Sequence, residues 1–426
     1  MSRFQIVLLA VFGFFIIVAV LTFALYRGSG TSTATVTIWG DYPASEFNIF
    51  MNASGLQQDR MLTIDYEEKS PETINKEWTE ALAQGVGPDL IIISQDKFWE
   101  NRAKLIPMPY SSVSERDFQD TFVEAAEIFL TAEGVYALPI SIDPLVLYYN
   151  RDILSTAGIS NPLAYWDQIY EQTTDLTRRD AAGNISQSTI ALGTTGNIEN
   201  AKDILSLLFL QAGNPITRFV GEDLRSALAD VSAQTVRPAD ATLDFYTQFS
   251  NPTKSYYSWN RSQASAQSSF TTGDSAYYIG FASELRELRG KSPTLNFAVA
   301  SVPQSRVSGR AVTYGELKGV AISRGSLNPA AALAAALKLV SKESSLALTR
   351  VLFLPSARRD ILSERPTDSV WPIFYNSALQ SKSWIDPAAT ETRELFYSMV
   401  DDITSGRART TEAVNSASRE LDLIIK

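Results

Sequence analysis

The segment GVYALPISIDPLVLYYNRDIL, residues 134–154, decides the fold of this chain. It is a long apolar run that two prolines interrupt, Pro139 and Pro144, and a single acid, Asp143, stands between them. A proline costs no hydrogen bond where a strand loses its sheet partners, as it does at a junction between domains. The segment is therefore either a strand end with a solvated acid or a crossing between two domains that presents Asp143 to a ligand.

Length and composition predict a large folded protein. The 426 residues favour two to three domains, and a hydrophobic content of 45% is enough for a sizeable core. The net charge is −10, whereas a protein that binds nucleic acid needs basic patches. We therefore expect a folded body without a nucleic-acid partner.

The chain contains neither cysteine nor histidine. Disulfides, thiol nucleophiles, Ser-His-Asp triads and histidine-ligated zinc are therefore excluded. A large extracellular domain does not depend on disulfides for its stability, so their absence is compatible with a position outside the cell. We expect no cofactor and no metal in the functional site.

Residues 1–27 form a predicted N-terminal transmembrane anchor. Residues 4–26, FQIVLLAVFGFFIIVAVLTFALY, are almost wholly apolar and are long enough to cross roughly 30 Å of hydrocarbon as a helix. A cleaved signal peptide has a shorter apolar region of about 7–15 residues and a small-residue cleavage site, which ALYRGSG at residues 24–30 does not resemble. The sequence favours an uncleaved single-pass anchor over a removed signal, with residues 28–34 as a linker and the body on the extracytoplasmic side.

The beginning of the body alternates predicted strands and helices. Residues 35–39 and 61–68 show the β-branched, alternating pattern of strands, and residues 87–94 form a short continuous apolar run. Helical segments are predicted between them, at residues 45–57 and 71–84. This order predicts a βαβ unit with a parallel sheet, and hence an α/β protein.

Residues 35–425 resemble the extracellular solute-binding proteins of the family that includes maltose-binding protein, which are the substrate-capturing subunits of ABC importers. The resemblance rests on motifs that follow the family's order along the chain. They include VTIWGDY (36–42), GPDLIIISQDKF (87–98), the segment around Asp143, FTTGDSAYYIGFASEL (270–285), YGELKGVAISRGS (314–326) and SWIDP (383–387).

The resemblance implies a type II-like periplasmic-binding-protein fold, with two α/β lobes, a hinge and a central ligand cleft. The first lobe would take residues 35–143 and 312–365, and the second would take residues 144–311 and 366–426. The segment around Asp143 would then cross from the first lobe to the second. The implied function is to capture a sugar or oligosaccharide in the cleft and to deliver it to the permease subunits of an ABC transporter.

Two pairs of candidate ligand-binding residues follow predicted strands. Asp41 and Tyr42 stand at the carboxyl end of the first strand, where open α/β sheets bind ligands, although Asp41 could instead cap the next helix. Asp96 and Lys97 match in order an acid–base pair that contacts sugar in maltose-binding proteins; a surface ion pair is the alternative. Ile93 stands where the best-studied relatives carry a tryptophan, and this departure argues against maltose specificity.

Five more candidates follow from the resemblance. Asp143 matches the acidic ligand contact of the crossing strand, and Tyr314 lies on the predicted return crossing. Phe281 and Ser283 fall where relatives place a stacking aromatic residue, although Phe281 fits a core position as well. Trp384 precedes a predicted helix and is a candidate aromatic platform.

Two other classes of function remain open. A glycosidase would also use carboxylates and aromatic residues, with two acids roughly 5–9.5 Å apart. Nothing in the sequence indicates such a pair, and the resemblance favours a binding protein without enzymatic activity. A peptide-capture protein or a sensor ectodomain is the other alternative; the 17 tyrosines and 7 tryptophans favour a sugar ligand, although most of them belong in the core.

Overall fold

The computed structural model describes residues 34–231, 237–306 and 309–426. The predicted anchor, residues 4–26, lies outside these described residues. Within them, no helix combines the length and the apolar character that a membrane crossing requires.

Strands and helices alternate along the described chain. The strands are β1 (Ala34–Gly40), β2 (Leu62–Glu68), β3 (Leu90–Ser94), β4 (Leu105–Ile106), β5 (Leu130–Thr131), β6 (Gly134–Val135), β7 (Ala137–Asn150), β8 (Arg178–Arg179), β9 (Ile185–Ile190), β10 (Thr217–Val220), β11 (Asp223–Ser226), β12 (Ser275–Phe281), β13 (Phe297–Ser301), β14 (Thr313–Ser323) and β15 (Ser381–Lys382).

The α-helices are α1 (Ala44–Ala53), α2 (Ile74–Gln84), α3 (Gln95–Asn101), α4 (Glu115–Thr121), α5 (Arg151–Thr156), α6 (Ile169–Leu176), α7 (Ala201–Gln211), α8 (Pro238–Thr247), α9 (Ala266–Thr271), α10 (Leu285–Lys291), α11 (Pro329–Leu339), α12 (Lys342–Leu352), α13 (Arg359–Leu362), α14 (Trp371–Leu379), α15 (Ala389–Thr404) and α16 (Thr410–Ile425). Short 3-10 turns include Ala282–Glu284, directly after β12.

The predicted βαβ beginning of the body is confirmed. Strand β1 pairs in parallel with both β2 and β3, and helices α1 and α2 provide the connections. Helix α2 begins at Ile74, three residues later than the predicted position, because the amides of Thr73 and Ile74 first donate to the Ser70 carbonyl in a turn. The third strand is buried along almost its whole length, as expected for a parallel strand covered on both faces.

Two long antiparallel strands, β7 and β14, connect the two halves of the molecule. The first half of β7 pairs with β14, from Ala137 opposite Ala321 to Pro144 opposite Gly315. The second half of β7 pairs with β12 and β13 instead. The partner strands therefore change directly after Pro144, which removes no ladder hydrogen bond at a point where the pairing ends.

The buried side chains form two hydrophobic cores on either side of this change. The first core contains most buried residues from Val36 to Ile142 and from Leu317 to Leu362. The second contains most buried residues from Leu145 to Tyr314 and most of those from Val370 to Leu421. Three residues of this last range, Tyr375, Ala378 and Ile385, join the first core instead. The molecule thus has two α/β lobes; the exact lobe boundaries given above stay a prediction.

Close packing between β7 and β14 yields a test of the fold. A Cβ atom at Gly319 would lie 2.8 Å from the Cβ of Ala137 and 3.2 Å from the Phe129 ring. Neither neighbour can rotate away, so we expect Gly319→Ala to lower the free energy of unfolding by about 1–3 kcal/mol. Chemical denaturation measures this change.

The matched control is Gly290→Ala in helix α10, where a Cβ would meet no atom within 4 Å. Alanine is the better helix former, so the control should leave stability unchanged or raise it by up to about 1 kcal/mol. Equal effects of the two substitutions would contradict the close approach of the two strands.

Candidate functional site

The floor of the candidate site is the polar face of the paired strands β7 and β14. Ile140 and Ile142 of β7 and Leu317 of β14 are buried in the first core. Because side chains alternate across a strand, Ser141 and Asp143 of β7, and Glu316 and Lys318 of β14, project to the opposite face. Glu316 lies directly opposite Asp143 and Lys318 directly opposite Ser141, so the four polar side chains form one patch at the junction of the lobes.

The first lobe adds Asp41 and Tyr42 to one side of this patch. The Lys318 ammonium lies 2.6 Å from Asp41 Oδ2 and 4.6 Å from the centroid of the Tyr42 ring. The Tyr42 hydroxyl lies 2.7 Å from the Ser141 hydroxyl, and the Tyr42 side chain is buried. Both predicted residues therefore border the polar floor, and Asp41 binds Lys318 rather than capping helix α1.

The second lobe contacts the same patch through the turn that follows β12. The Ser283 amide donates a 3.1 Å hydrogen bond to Asp143 Oδ1. Phe281 is buried, with its ring centroid 6.4 Å from that of Tyr314, and its carbonyl accepts a 2.7 Å hydrogen bond from the Tyr148 hydroxyl. Asp143 thus joins the crossing strand to the second lobe, and Ser283 lies at the site while Phe281 supports the turn from within the core.

Helices from both lobes begin beside the floor. Asp96 and Lys97 lie in the first turn of α3, where Asp96 accepts a hydrogen bond from the Ser94 hydroxyl and Lys97 lies 3.8 Å from Glu100. Asp203 lies in the first turn of α7 in the second lobe.

The Tyr314 hydroxyl stands between these helices. It accepts a 2.7 Å hydrogen bond from Gln95 Nε2. Burial, together with the carboxylates of Asp203, Glu316 and Asp386, raises the pKa of Tyr314 well above its usual value.

Burial raises the pKa of two aspartates in this site, Asp143 and Asp203. Burial and the nearby Glu284 carboxylate raise the pKa of Asp143 to about 7, although Ser283 and Lys318 act in the opposite direction. Burial also raises the pKa of Asp203, against the attraction of Lys202.

Glu316 behaves differently from an ordinary surface acid. Solvent reaches the Glu316 side chain, but the protein atoms around it displace part of the water from its carboxyl group. This desolvation raises the pKa of Glu316 well above the usual value, and the carboxylates of Asp203, Asp96 and Asp143 act in the same direction. Acids of this kind are typical of functional clefts.

Trp384 packs inside the second lobe. Its ring stacks on Phe396 at a centroid distance of 6.0 Å, and its Nε1 donates a 3.1 Å hydrogen bond to the Ser206 hydroxyl. The side chain is 4% exposed and belongs to the second core, beside the buried ion pair of Lys202 and Asp386. Its role as an aromatic platform stays a prediction.

A cavity of about 840 Å³ lies elsewhere, between Trp99 and Tyr136 of the first lobe and the hairpin formed by β10 and β11. None of the nine predicted site residues lines it. The lobe junction is nevertheless the candidate site, because polar side chains from both lobes and from both crossing strands lie there.

Sequence reasoning missed Glu316 and Lys318. The signal was present in GELKGV, residues 315–320, where polar and apolar residues alternate as they do in SIDP at residues 141–144. Both patterns predict a strand with one polar face. The two polar faces lie side by side because β7 pairs with β14, and the sequence does not show this pairing.

Two packed lobes joined by two crossing strands, with polar groups at the junction, define a two-lobe solute-binding fold. Residues 50–385 match the sequence family described as bacterial extracellular solute-binding protein. The chain therefore belongs to this family, as its motifs predicted.

The curated relatives match only a short part of the chain. Two of these relatives are named as binding proteins, one from Brucella abortus (strain 2308) and one from Brucella suis biovar 1 (strain 1330). Each is 28% identical to this chain over 109 residues. The match spans 25% of this chain and 26% of each relative's length.

Solved structures share the fold over almost the whole chain. A cyclo/maltodextrin-binding protein complexed with maltotetraose has a TM-score of 0.75 and 16% identity, covering 92% of this chain and 97% of that one. A cyclic alpha-maltosyl-1,6-maltose binding protein from Arthrobacter globiformis has a TM-score of 0.76 and 14% identity, with 93% and 100% covered. An ABC transporter solute-binding protein from Thermotoga lettingae, bound with alpha-D-tagatose, has a TM-score of 0.67 and 18% identity, with 92% and 100% covered.

The raised pKa of Asp143 predicts how stability changes with pH. Its pKa is about 7 in the folded protein and about 4 in an unfolded chain, so the folded state holds the proton more tightly. The favourable contribution of this group is fully present below about pH 4 and is lost as the pH rises through about 7. Asp143→Asn cannot titrate and retains an acceptor for the Ser283 amide.

We therefore expect the stability of Asp143→Asn, relative to the unsubstituted protein, to increase by on the order of 2 kcal/mol between about pH 5 and pH 8. Denaturant unfolding at several pH values measures this difference. Asp65→Asn, at an exposed position of β2, is the control and should show no such trend. A pH-independent difference for Asp143→Asn would contradict the burial of this carboxyl.

Proposed function

We propose that this protein captures a carbohydrate in the cleft between its lobes and delivers it to the permease subunits of an ABC transporter. The observation that carries the proposal is the convergence of Asp143, Glu316, Lys318, Asp41 and the Ser283 turn at the lobe junction. Family membership and the sugar-bound structures of the same fold support it.

The chemistry of these groups suits a polyhydroxylated ligand. Each sugar hydroxyl both donates and accepts a hydrogen bond. Carboxylates accept and an ammonium donates, and hydrogen bonds to charged groups are the stronger kind. The floor places donors and acceptors close together. The Lys318 ammonium lies 2.6 Å from Asp41, and Lys318 stands opposite Ser141 on β7, two residues from Asp143.

The position of the site at the hinge gives a mechanism for capture. The floor belongs to strands shared by both lobes, whereas Asp41 and Asp96 belong to the first lobe and Ser283 and Asp203 to the second. A ligand that contacts both sets binds a closed arrangement better than an open one, so binding shifts the population towards closure. A closed, loaded protein is the form that a permease would recognise.

The family and the matching structures consist of binding proteins, and we propose no enzymatic role. Peptide capture and a sensor ectodomain are the competing functions. A thermal-shift screen of the full-length protein separates them, because a ligand that binds the folded state alone raises its melting temperature. Stabilisation by peptides and by none of maltotetraose, mannotriose or tagatose would overturn the carbohydrate proposal.

Loss of the Asp143 side chain should weaken sugar binding. An alanine removes its hydrogen bond to the ligand, which is worth roughly 1.5–3 kcal/mol, so Asp143→Ala should bind the most stabilising sugar about 10- to 100-fold more weakly. Asp143→Asn should lose less, because its amide oxygen still accepts. Isothermal titration calorimetry measures the affinities.

Asp65→Ala, at an exposed position of β2 far from the hinge strands in the sheet order, is the matched control and should bind as the unsubstituted protein does. Unchanged affinity in Asp143→Ala together with a lower melting temperature would show that Asp143 is a structural residue of the hinge.

A further prediction concerns the membrane anchor. We propose that residues 4–26 stay attached and hold the body on the extracytoplasmic side, because the apolar segment is long enough to span a bilayer and lacks a cleavage pattern. N-terminal sequencing of the protein extracted from membranes should then begin at or near Met1. A sequence that begins near residue 28 would show that the segment is a removed signal peptide.

A further inference from the structure

One arginine of the second lobe reaches across to the first lobe beside the candidate site. Arg286 lies in the first turn of α10, three residues after Ser283. Its Nη1 lies 3.8 Å from Glu46 Oε1 in the first turn of α1. Its Nη2 donates a 3.3 Å hydrogen bond to the Val351 carbonyl near the end of α12. A single guanidinium therefore contacts two helices at once.

The three helices that carry these groups belong to different lobes. Helix α10 packs in the second core, whereas α1 and α12 pack in the first. The buried residues that fix them are Leu285 and Leu288 of α10, Phe47 and Phe50 of α1, and Ala347 and Leu348 of α12. Arg286 thus joins the lobes by side-chain contacts, in addition to the strands that connect them covalently.

The acceptor on α12 suits a cation. The helix ends at Leu352, so the Val351 carbonyl is one of its last four, which find no amide partner within the helix. These carbonyls also carry the negative end of the helix dipole. The planar guanidinium has five donors in a fork and can bind this carbonyl and the Glu46 carboxylate together, which the point charge of a lysine does less well.

The residue that ends α12 has an unusual backbone conformation. Phe353 has φ 57° and ψ 38°, and it is the one non-glycine residue with positive φ among the described residues. A residue with a Cβ adopts this conformation at a cost in free energy, and such strain persists where the surrounding structure holds it.

The ring of Phe353 lies against the second lobe. Its centroid is 4.7 Å from that of Trp371 and 6.4 Å from that of Phe374, which belongs to the second core. The Arg286 guanidinium lies 5.1 Å from the same centroid. A helix of the first lobe therefore ends in a strained aromatic residue at the point that Arg286 reaches, and strain of this kind is found at clamps and switches.

An ordinary surface ion pair is the alternative interpretation. The side chains of Arg286 and Glu46 are 52% and 36% exposed, and exposed pairs add little to the stability of a fold. A contact between two lobes acts on a different equilibrium, the one between the closed and the open arrangement. There, even a small difference in free energy changes the populations measurably.

We infer that Arg286 is a latch between the lobes, whose contacts with Glu46 and the Val351 carbonyl form in the closed arrangement and are lost when the lobes separate. This inference rests on the proposed capture by lobe closure. The latch raises the affinity for every solute that the cleft captures, although Arg286 does not touch the solute. Arg286 is therefore a positioning residue.

The first test follows the distance between the lobes in the full-length protein and needs no ligand. The chain has no cysteine, so Lys76→Cys in the first lobe and Ser155→Cys in the second, both exposed, provide the only sites for spin labels. Double electron–electron resonance gives the distribution of distances between the labels. Arg286→Ala should lower the population at the separation of this structure about two- to fivefold relative to the other separations.

Arg289→Ala on the same helix is the matched control. It also removes one exposed positive charge, and no first-lobe partner is found for Arg289 among the described residues, so the distribution should not change. Arg286→Lys keeps the charge without the fork and should give an intermediate population. A distribution that Arg286→Ala leaves unchanged, or that both alanine variants change equally, overturns the latch.

Sugar affinities separate a latch from a ligand contact. Maltotetraose, mannotriose and tagatose are titrated calorimetrically into the full-length protein and into Arg286→Ala. Every sugar that binds should lose the same factor, about two- to fivefold, because the latch acts on closure and not on recognition. Unequal factors would show that Arg286 touches the ligand and would overturn the latch. If none of the three sugars binds, the carbohydrate proposal loses its support, whereas the distance measurement still decides the latch.

Discussion

The pairing of β7 with β14 is the constraint on which the rest of the structure depends. It places Asp143 opposite Glu316 and Ser141 opposite Lys318. The same pairing buries Ile142 and Leu317 in the first core, so that one face of the two strands stabilises a lobe while the other forms the floor of the cleft. A shift of one residue in the register would exchange the two faces and remove the site together with the core contacts.

The electrostatics of the cleft follow from this geometry. Strands that cross between two lobes have protein on several sides, so carboxyls on their polar face lose hydration even where solvent still reaches them. Asp143 and Glu316 therefore hold protons more tightly than surface acids do.

Local patterns in the sequence predicted the fold well, whereas the site required tertiary information. The βαβ beginning follows from periodicity within short segments, and the proline pair around Asp143 stands where β7 changes its partner strands. Glu316 and Lys318 were not predicted, because the sequence shows that they lie on a strand but does not show that this strand pairs with the one that carries Asp143. An aromatic residue before a helix, such as Trp384, is equally compatible with a core and with a ligand platform, and its burial beside Phe396 could not be read from the sequence.

Hydrogen–deuterium exchange of the full-length protein, with and without the most stabilising sugar, tests the central claim most directly. A ligand held at the lobe junction should slow exchange in the turn around Ser283 of the second lobe and, at the same time, around Asp41 and the start of α3 in the first. Protection confined to one lobe, or to the hairpin of β10 and β11 beside the cavity at Trp99, would contradict the assignment of the binding site to the floor formed by β7 and β14.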